Sequence, residues 1–395
     1  MSAELHDNKR KRLIFSLICA AIFADSILYA IIIPIVPGYV RILGMDPRQV
    51  GVFFALYPFT LLVLSIPAGV LSDKLGRWNI MLMGMFGLCM SSIAFGLSRT
   101  ITALFISRFL QGVSAAATWT AGLALIGDLF PSNVRGGKLG FAMNAMGFGA
   151  IIGPVMGGLL YYRYGFGAPF YLSALLAFSV AIGFLMLNRP PAAEKTAQPK
   201  MAPALFSEPN LILGFVMIAV GVVCLGMFEV LTPLYLTARF KANSRMVGAL
   251  FSAIALTYIF SQPFFGHLSD KYGRKIFIVT GGAITALLCL IITKAASFSV
   301  FFIAASTLGI TLGMLIVCSL ALINDVFDHA KWQKRYGLAA GYFNVAYSVG
   351  MIIGPLAGSM IYKTFGFRWA FLCYSAALAA GVIYTGFFVK NPRHT

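Results

Sequence analysis

The chain has 395 residues, 59% of them hydrophobic and only 11% charged, and its mean hydropathy is +0.87. Soluble domains carry roughly 25% charge, so the composition excludes a water-soluble globular protein and indicates an integral membrane protein. The net charge of +18 would suggest nucleic acid in a soluble chain, but here its distribution over loops carries the meaning and no nucleic-acid partner is expected.

In chain order, the basic cluster Lys9 to Arg12 precedes an apolar run that continues to about Val36. Such a run is a retained spanning helix, longer than the apolar region of a cleaved signal. Within it lies Phe23-Ala24-Asp25-Ser26-Ile27-Leu28-Tyr29, leading to Pro34 and Pro37. A carboxylate at that depth costs several kcal/mol unless protonated or paired, which makes Asp25 a functional candidate by default.

Twelve helices are predicted, over 13–36, 50–71, 78–98, 101–129, 137–161, 166–187, 209–237, 245–268, 276–294, 298–326, 335–362 and 367–389. The fold class expected is therefore all-α and polytopic. Between the sixth and seventh helices, Pro190, Pro191, Pro199 and Pro203 stand among Ala, Lys and Gln, a composition that cannot form a core. That stretch, 188–208, divides the chain into six-helix halves at 1–187 and 209–395.

The halves repeat each other. Gly69-Val-Leu-Ser-Asp73-Lys-Leu-Gly76-Arg77 recurs as Gly266-His-Leu-Ser-Asp270-Lys-Tyr-Gly273-Arg274. Gly149-Ala-Ile-Ile-Gly153-Pro154-Val-Met-Gly157-Gly158 recurs as Gly350-Met-Ile-Ile-Gly354-Pro355-Leu-Ala-Gly358, and Asp128 with Arg135 recurs as Asp325 with Arg335. Parallel six-helix repeats are an architecture in which a substrate site forms at the midplane between the halves.

These motifs resemble the signatures of the major facilitator superfamily over essentially the whole chain. The Gly-Pro motif is similar to that of its drug:proton antiporter branch. Asp25 with Pro34 and Pro37, the run from Arg108, Gln111 and Gly112 to Gly122, and Glu229 before Pro233 resemble vesicular amine transporters and bacterial multidrug relatives. Where those amine transporters carry a second-helix lysine and two late-helix aspartates, this chain has Tyr57, Ile316 and Asn344.

Of twelve acidic residues, only Asp25 and Glu229 fall well inside spans, in the corresponding first and seventh helices. Two carboxylates facing one cavity suit the exchange of a proton for a cation; a structural role, with Ser26 or Thr232 as partner, is the plainer alternative. Arg108 is the basic residue within a helix, and the resemblance implies that it tunes a nearby acid; a static ion pair or an outward reach are the alternatives. Tyr29, Tyr57, Gln111, Asn144, Asn344 and Tyr347 are candidate cavity liners. The resemblance implies that Gly69, Asp73, Gly76, Arg77, Asp128 and Arg135, with Gly266, Asp270, Gly273 and Arg274, form a gating network. It also implies that the Gly149, Gly153, Pro154, Gly157 and Gly158 face seals against proton leak.

No phosphate loop is present, so ATP is not the expected energy source. The histidines lie in tails and loops without ligand spacing and the six cysteines lie in apolar segments, so no metal and no cofactor are expected. Of the 30 Lys and Arg, 19 lie on the loops shared with the termini and linker and 10 on the alternate loops. That bias puts both termini in the cytoplasm of a plasma-membrane protein. The expectation is a monomeric proton-coupled antiporter, not an enzyme, that exports small amphipathic cationic compounds by alternating access. A proton symporter or facilitator of a nutrient, metabolite or siderophore is the alternative.

Overall fold

In this computed structural model, residues 2–187, 208–328 and 336–388 are described. The linker at 188–207 and Arg335 of the third repeat motif lie outside the described residues. Thirteen α-helices account for nearly all of the described residues: α1 (Ser2–Ile31), α2 (Val36–Leu43), α3 (Pro47–Leu75), α4 (Arg77–Leu97), α5 (Ile101–Leu129), α6 (Ser132–Tyr164), α7 (Ala168–Met186), α8 (Pro209–Phe240), α9 (Ser244–Tyr272), α10 (Arg274–Thr293), α11 (Phe298–Asp328), α12 (Tyr336–Phe365) and α13 (Phe367–Phe388). Twelve segments among the described residues are long and apolar enough to cross a membrane, with α1 and α2 together forming the first, Lys9–Leu43.

That first span is one helix in the sequence-based expectation and a broken one in the structure. A 3₁₀ turn at Ile33–Ile35 separates α1 from α2, at the point where Pro34 and Pro37 each remove a backbone N–H and crowd the preceding turn. The other spans match their expected positions to within about five residues at each end; several run longer, as where the charged residues Asp73 and Lys74 continue α3 beyond its apolar part, while α7 is shorter than expected at both ends. Two turns require glycine: Gly76 before α4 has φ +90 and Gly273 before α10 has φ +94, values that a Cβ makes costly.

The chain forms two compact units. The first takes in described residues within Met1–Met45, Leu56–Thr196 and Asn243–Ser252; the second takes in those within Asp46–Ala55, Ala197–Ala242 and Ala253–Thr395. In the first unit α1 packs on α6 and α7, and α4 packs on α5 and α7. In the second, α8 packs on α12, and α10 packs on α11 and α13, so the sequence repeat is also a repeat of packing.

Glycine faces make the closest of these approaches. A Cβ on Gly149 would lie 2.5 Å from Cβ of Ser26, and one on Gly157 would lie 2.5 Å from the carbonyl oxygen of Ile31. Backbones in contact gain dispersion that lipid tails do not supply, which is how small-residue faces hold membrane helices together. In the second unit a Cβ on Gly354 would lie 2.4 Å from the carbonyl oxygen of Val223. The start of α3 packs on α12 in the same manner, with Gly51 against Ser359 and Pro355.

Candidate functional site

In the first unit α1, α3 and α5 bring together a set of polar side chains at the depth of the spans. Asp25 on α1 is 1% exposed. Its Oδ2 accepts two hydrogen bonds, from the Tyr57 hydroxyl on α3 at 2.7 Å and from Trp119 Nε1 on α5 at 2.9 Å. Its Oδ1 is buried and has no hydrogen-bond partner among the described residues.

Arg108, also on α5, is 0% exposed. Its guanidinium lies 4.8 Å from the Tyr29 ring centroid and 5.1 Å from that of Tyr57, and its Nη1 donates to Gln111 Oε1 at 2.8 Å. The reach outward along the helix that its position also allowed is not taken. Two aromatic faces offset part of the cost of burying the cation, and its charge acts on Asp25. The rings of Tyr29 and Tyr57 meet at 4.9 Å. Five expected residues, Asp25, Tyr29, Tyr57, Arg108 and Gln111, thus form one cluster.

Trp119 is the member that reading the sequence missed. It follows Arg108 by eleven residues, about three helical turns, so both side chains share one face of α5. A lone indole N–H aligned with a buried arginine was the available signal.

Asn144 lies elsewhere in the unit. With Cys19, Ala20, Phe23, Phe141, Ala145, Phe148 and Ile152 it lines an open, mainly apolar groove of about 410 Å³ between α1 and α6. In the second unit, Glu229 on α8 is half-buried and interacts electrostatically with Tyr347 on α12, which also faces Tyr258 on α9. Asn344 is exposed on α12.

The repeated loop motifs close within their own units. Arg77 Nε meets Asp128 Oδ2 at 2.8 Å and Arg77 Nη2 lies 3.7 Å from Asp73. Arg135 instead donates from Nε to the Phe130 carbonyl at 3.3 Å. Arg274 holds Asp325 through Nε at 3.0 Å and Nη2 at 3.3 Å, donates to Ser269 at 2.7 Å, and pairs with Asp270.

At the opposite ends of these helices, Asp46 caps α3, its Oδ1 accepting the Arg48 N–H at 2.9 Å while Gln49 accepts the Asp46 N–H at 2.9 Å. This reciprocal arrangement satisfies two donors at the helix start. The same carboxylate pairs with Lys363 on α12. Lys363, and then the Arg48 N–H, hold the Asp46 carboxyl below the usual carboxylate range. Among the described residues no group of His, Cys, Asp and Glu could hold a metal ion.

The sequence model of the major facilitator superfamily matches residues 18–243 and 226–395. The chain belongs to the major facilitator superfamily. Among its relatives, an MFS-type transporter ppzB of Metarhizium majus is 25% identical and the match spans 94% of this chain and 98% of that protein. The synaptic vesicular amine transporter of Bos taurus is 26% identical across 81% of this chain and 62% of its own length. The MFS-type transporter SLC18B1 of Rattus norvegicus is 27% identical across 87% of this chain and 78% of its own. Among solved structures, a bacterial homologue of the human lysosomal transporter Spinster has the same fold, with TM-score 0.79 at 13% identity and 95% coverage of both chains. As a member of this superfamily, the protein is an integral membrane transporter of twelve spans, in contact with the bilayer and handling a small-molecule substrate.

Proposed function

We propose that the protein is a proton-coupled antiporter that exports small amphipathic cations by alternating access, in the manner of drug:proton antiporters. The observation that carries this reading is Asp25: a carboxylate 1% exposed at bilayer depth, held by two donors and under the charge of Arg108. A static role needs no acid there, since an amide of equal size would accept the same bonds without the cost of a buried charge. A carboxylate can take up a proton and, deprotonated, attract an ammonium. Its differential affinity for the two supplies the exchange. Relatives whose names state amine transport are consistent with a cationic cargo.

In this proposal Glu229 is the second unit's proton-linked acid, and Arg108 sets the electrostatic field in the first. The Arg77 and Arg274 networks belong to gating, and the glycine face of α6 excludes proton leak. The protein acts as a monomer in the plasma membrane, with both termini and the 188–208 linker in the cytoplasm, as the loop charges indicate.

The test is transport by purified protein in proteoliposomes with an imposed pH gradient, using ethidium as the cation and a trapped pH dye for protons. Asp25→Asn is expected to insert and fold but to lose gradient-driven ethidium movement. Glu229→Gln is expected to lower the coupled proton flux. Undiminished ethidium transport by Asp25→Asn would reject the reading. Ethidium and protons moving in the same direction would replace antiport with symport.

A further inference from the structure

The two oxygens of Asp25 are not equivalent. Oδ2 accepts from both Tyr57 and Trp119, at 2.7 and 2.9 Å. Oδ1 is buried and has no hydrogen-bond partner among the described residues, in a residue 1% exposed. The two donors differ in kind. A tyrosine hydroxyl can donate or accept, but an indole N–H only donates. Trp119 therefore cannot accept a hydrogen bond from a protonated Oδ2, and a proton there could be donated only to Tyr57, whose hydroxyl would have to turn round and give up its own bond to the carboxylate.

From this geometry we infer a division of labour: Trp119, with Tyr57, fixes Oδ2 as a permanent acceptor, and Oδ1 is the atom that takes the proton or the substrate's cation. The inference rests on the proposal that Asp25 is the proton-linked acid. It adds Trp119 as a positioning residue, one that acts through Asp25 and touches neither proton nor cargo.

The remaining neighbours are consistent with that assignment. From α1 the titratable neighbour is Tyr29, whose ring lies against Tyr57; from α3 it is Tyr57 itself. From α5 the charge of Arg108 acts on the carboxylate, but its Nη1 is directed to Gln111. From α6 the contact beside Asp25 is Gly149 against Ser26, which brings no titratable group. With Oδ1 protonated, Oδ2 becomes the carbonyl oxygen and keeps both donors. Proton uptake thus needs no rearrangement of Tyr57 or Trp119, and the proton is held where a competing ammonium would also bind.

Infrared difference spectroscopy of the full chain in nanodiscs tests this through the carbonyl stretch of protonated Asp25, identified by its loss in Asp25→Asn. A carbonyl that accepts fewer hydrogen bonds stretches at higher frequency. Trp119→Phe, and replacement of Trp119 by benzothienylalanine, which keeps the ring shape without the N–H, are both expected to raise the frequency. Because a donor to the charged form has been removed, they are also expected to move the midpoint of that band's pH titration alkaline by about one pH unit or more. Tyr57→Phe is expected to act in the same direction.

A band unmoved in the benzothienylalanine protein overturns the inference, as does a band that falls in frequency. If that happens while Asp25→Asn has lost ethidium transport, the proton-linked role of Asp25 stands and only the division between its oxygens fails. Full ethidium transport by Asp25→Asn rejects the underlying antiport reading instead.

Discussion

Replacing the repeated loop arginines one at a time should give unequal losses of stability, although Arg77 and Arg274 hold the same place in the repeat. Arg274 is 10% exposed at its side chain and Arg77 28%. Arg274→Gln gives up two bonds to Asp325 and one to Ser269, at 3.0, 3.3 and 2.7 Å, together with the pair to Asp270, which is largely exposed. Hydrogen bonds to charged groups are worth about 1.5–3 kcal/mol each when buried, but Asp325 is 29% exposed and water can replace part of its loss. A total of about 2–3 kcal/mol is expected. Arg77→Gln gives up one good contact, 2.8 Å to Asp128, and one loose contact of 3.7 Å to Asp73, in a more hydrated setting. Pairs of that kind contribute about 0.5–1 kcal/mol. The difference, about 2 kcal/mol, is roughly a thirtyfold difference in the folding equilibrium. Unfolding in mixed micelles can be followed with a thiol-reactive dye, because Cys224, Cys289 and Cys318 are buried and react only on opening. Equal losses for the two variants, or a larger loss for Arg77→Gln, would refute this reasoning.

Three further outcomes are expected. Gly354→Ala should destabilise the protein by about 1–3 kcal/mol through overpacking, since the new Cβ meets backbone atoms of α8 at 2.4 to 3.2 Å. Gly341→Ala on the same helix has nothing within 4 Å and should be neutral or stabilising by up to about 1 kcal/mol; the same dye assay compares them. The Asp46–Lys363 pair should be insensitive to pH between 5 and 8. The Asp46 carboxyl lies below the usual carboxylate range, so its contribution is fully present above the unfolded value of about 3.9 and lost as pH falls through the folded value. Asp46→Asn keeps the helix cap and removes the charge, so the unfolding midpoints of wild type and variant should differ by a constant amount from pH 5 to 8 and converge only in stronger acid.

Much of the architecture was legible because a bilayer imposes length and apolarity on every span. The turns at Gly76 and Gly273, the twofold motifs and the close glycine faces each left a local pattern of residue types. Asp25 was legible for the opposite reason, as a charge where composition forbids one. What surrounds it was not. Trp119 stands 94 positions from Asp25 in the chain, and only the rotational phase of α5 relative to α1 decides that its N–H meets the carboxylate. Tyr57 was legible as a candidate cavity liner, but its hydroxyl bond to Asp25 follows from the packing of α3. The break at Ile33–Ile35 interrupts a span expected as one helix, although Pro34 and Pro37 carry its physical cause. The grouping of Asn243–Ser252 with the first unit and Asp46–Ala55 with the second crosses the boundary that the repeat suggests. It arises from backbone contacts such as Gly248 against the Pro154 carbonyl and Gly51 against the Pro355 carbonyl, which no hydropathy pattern encodes.

The glycine face of α6 has a consequence for how such a chain can evolve. On the lipid-facing side of a span, leucine, isoleucine, valine and phenylalanine exchange freely, because lipid accepts any of them. At Gly149, Gly153 and Gly157 there is no interchangeable neighbour: the adjoining surface is the main chain of α1, beside Ser26, Ala30 and Ile31. The main chain cannot be mutated to make room. The helix carrying Asp25 is therefore tied to positions that cannot drift neutrally.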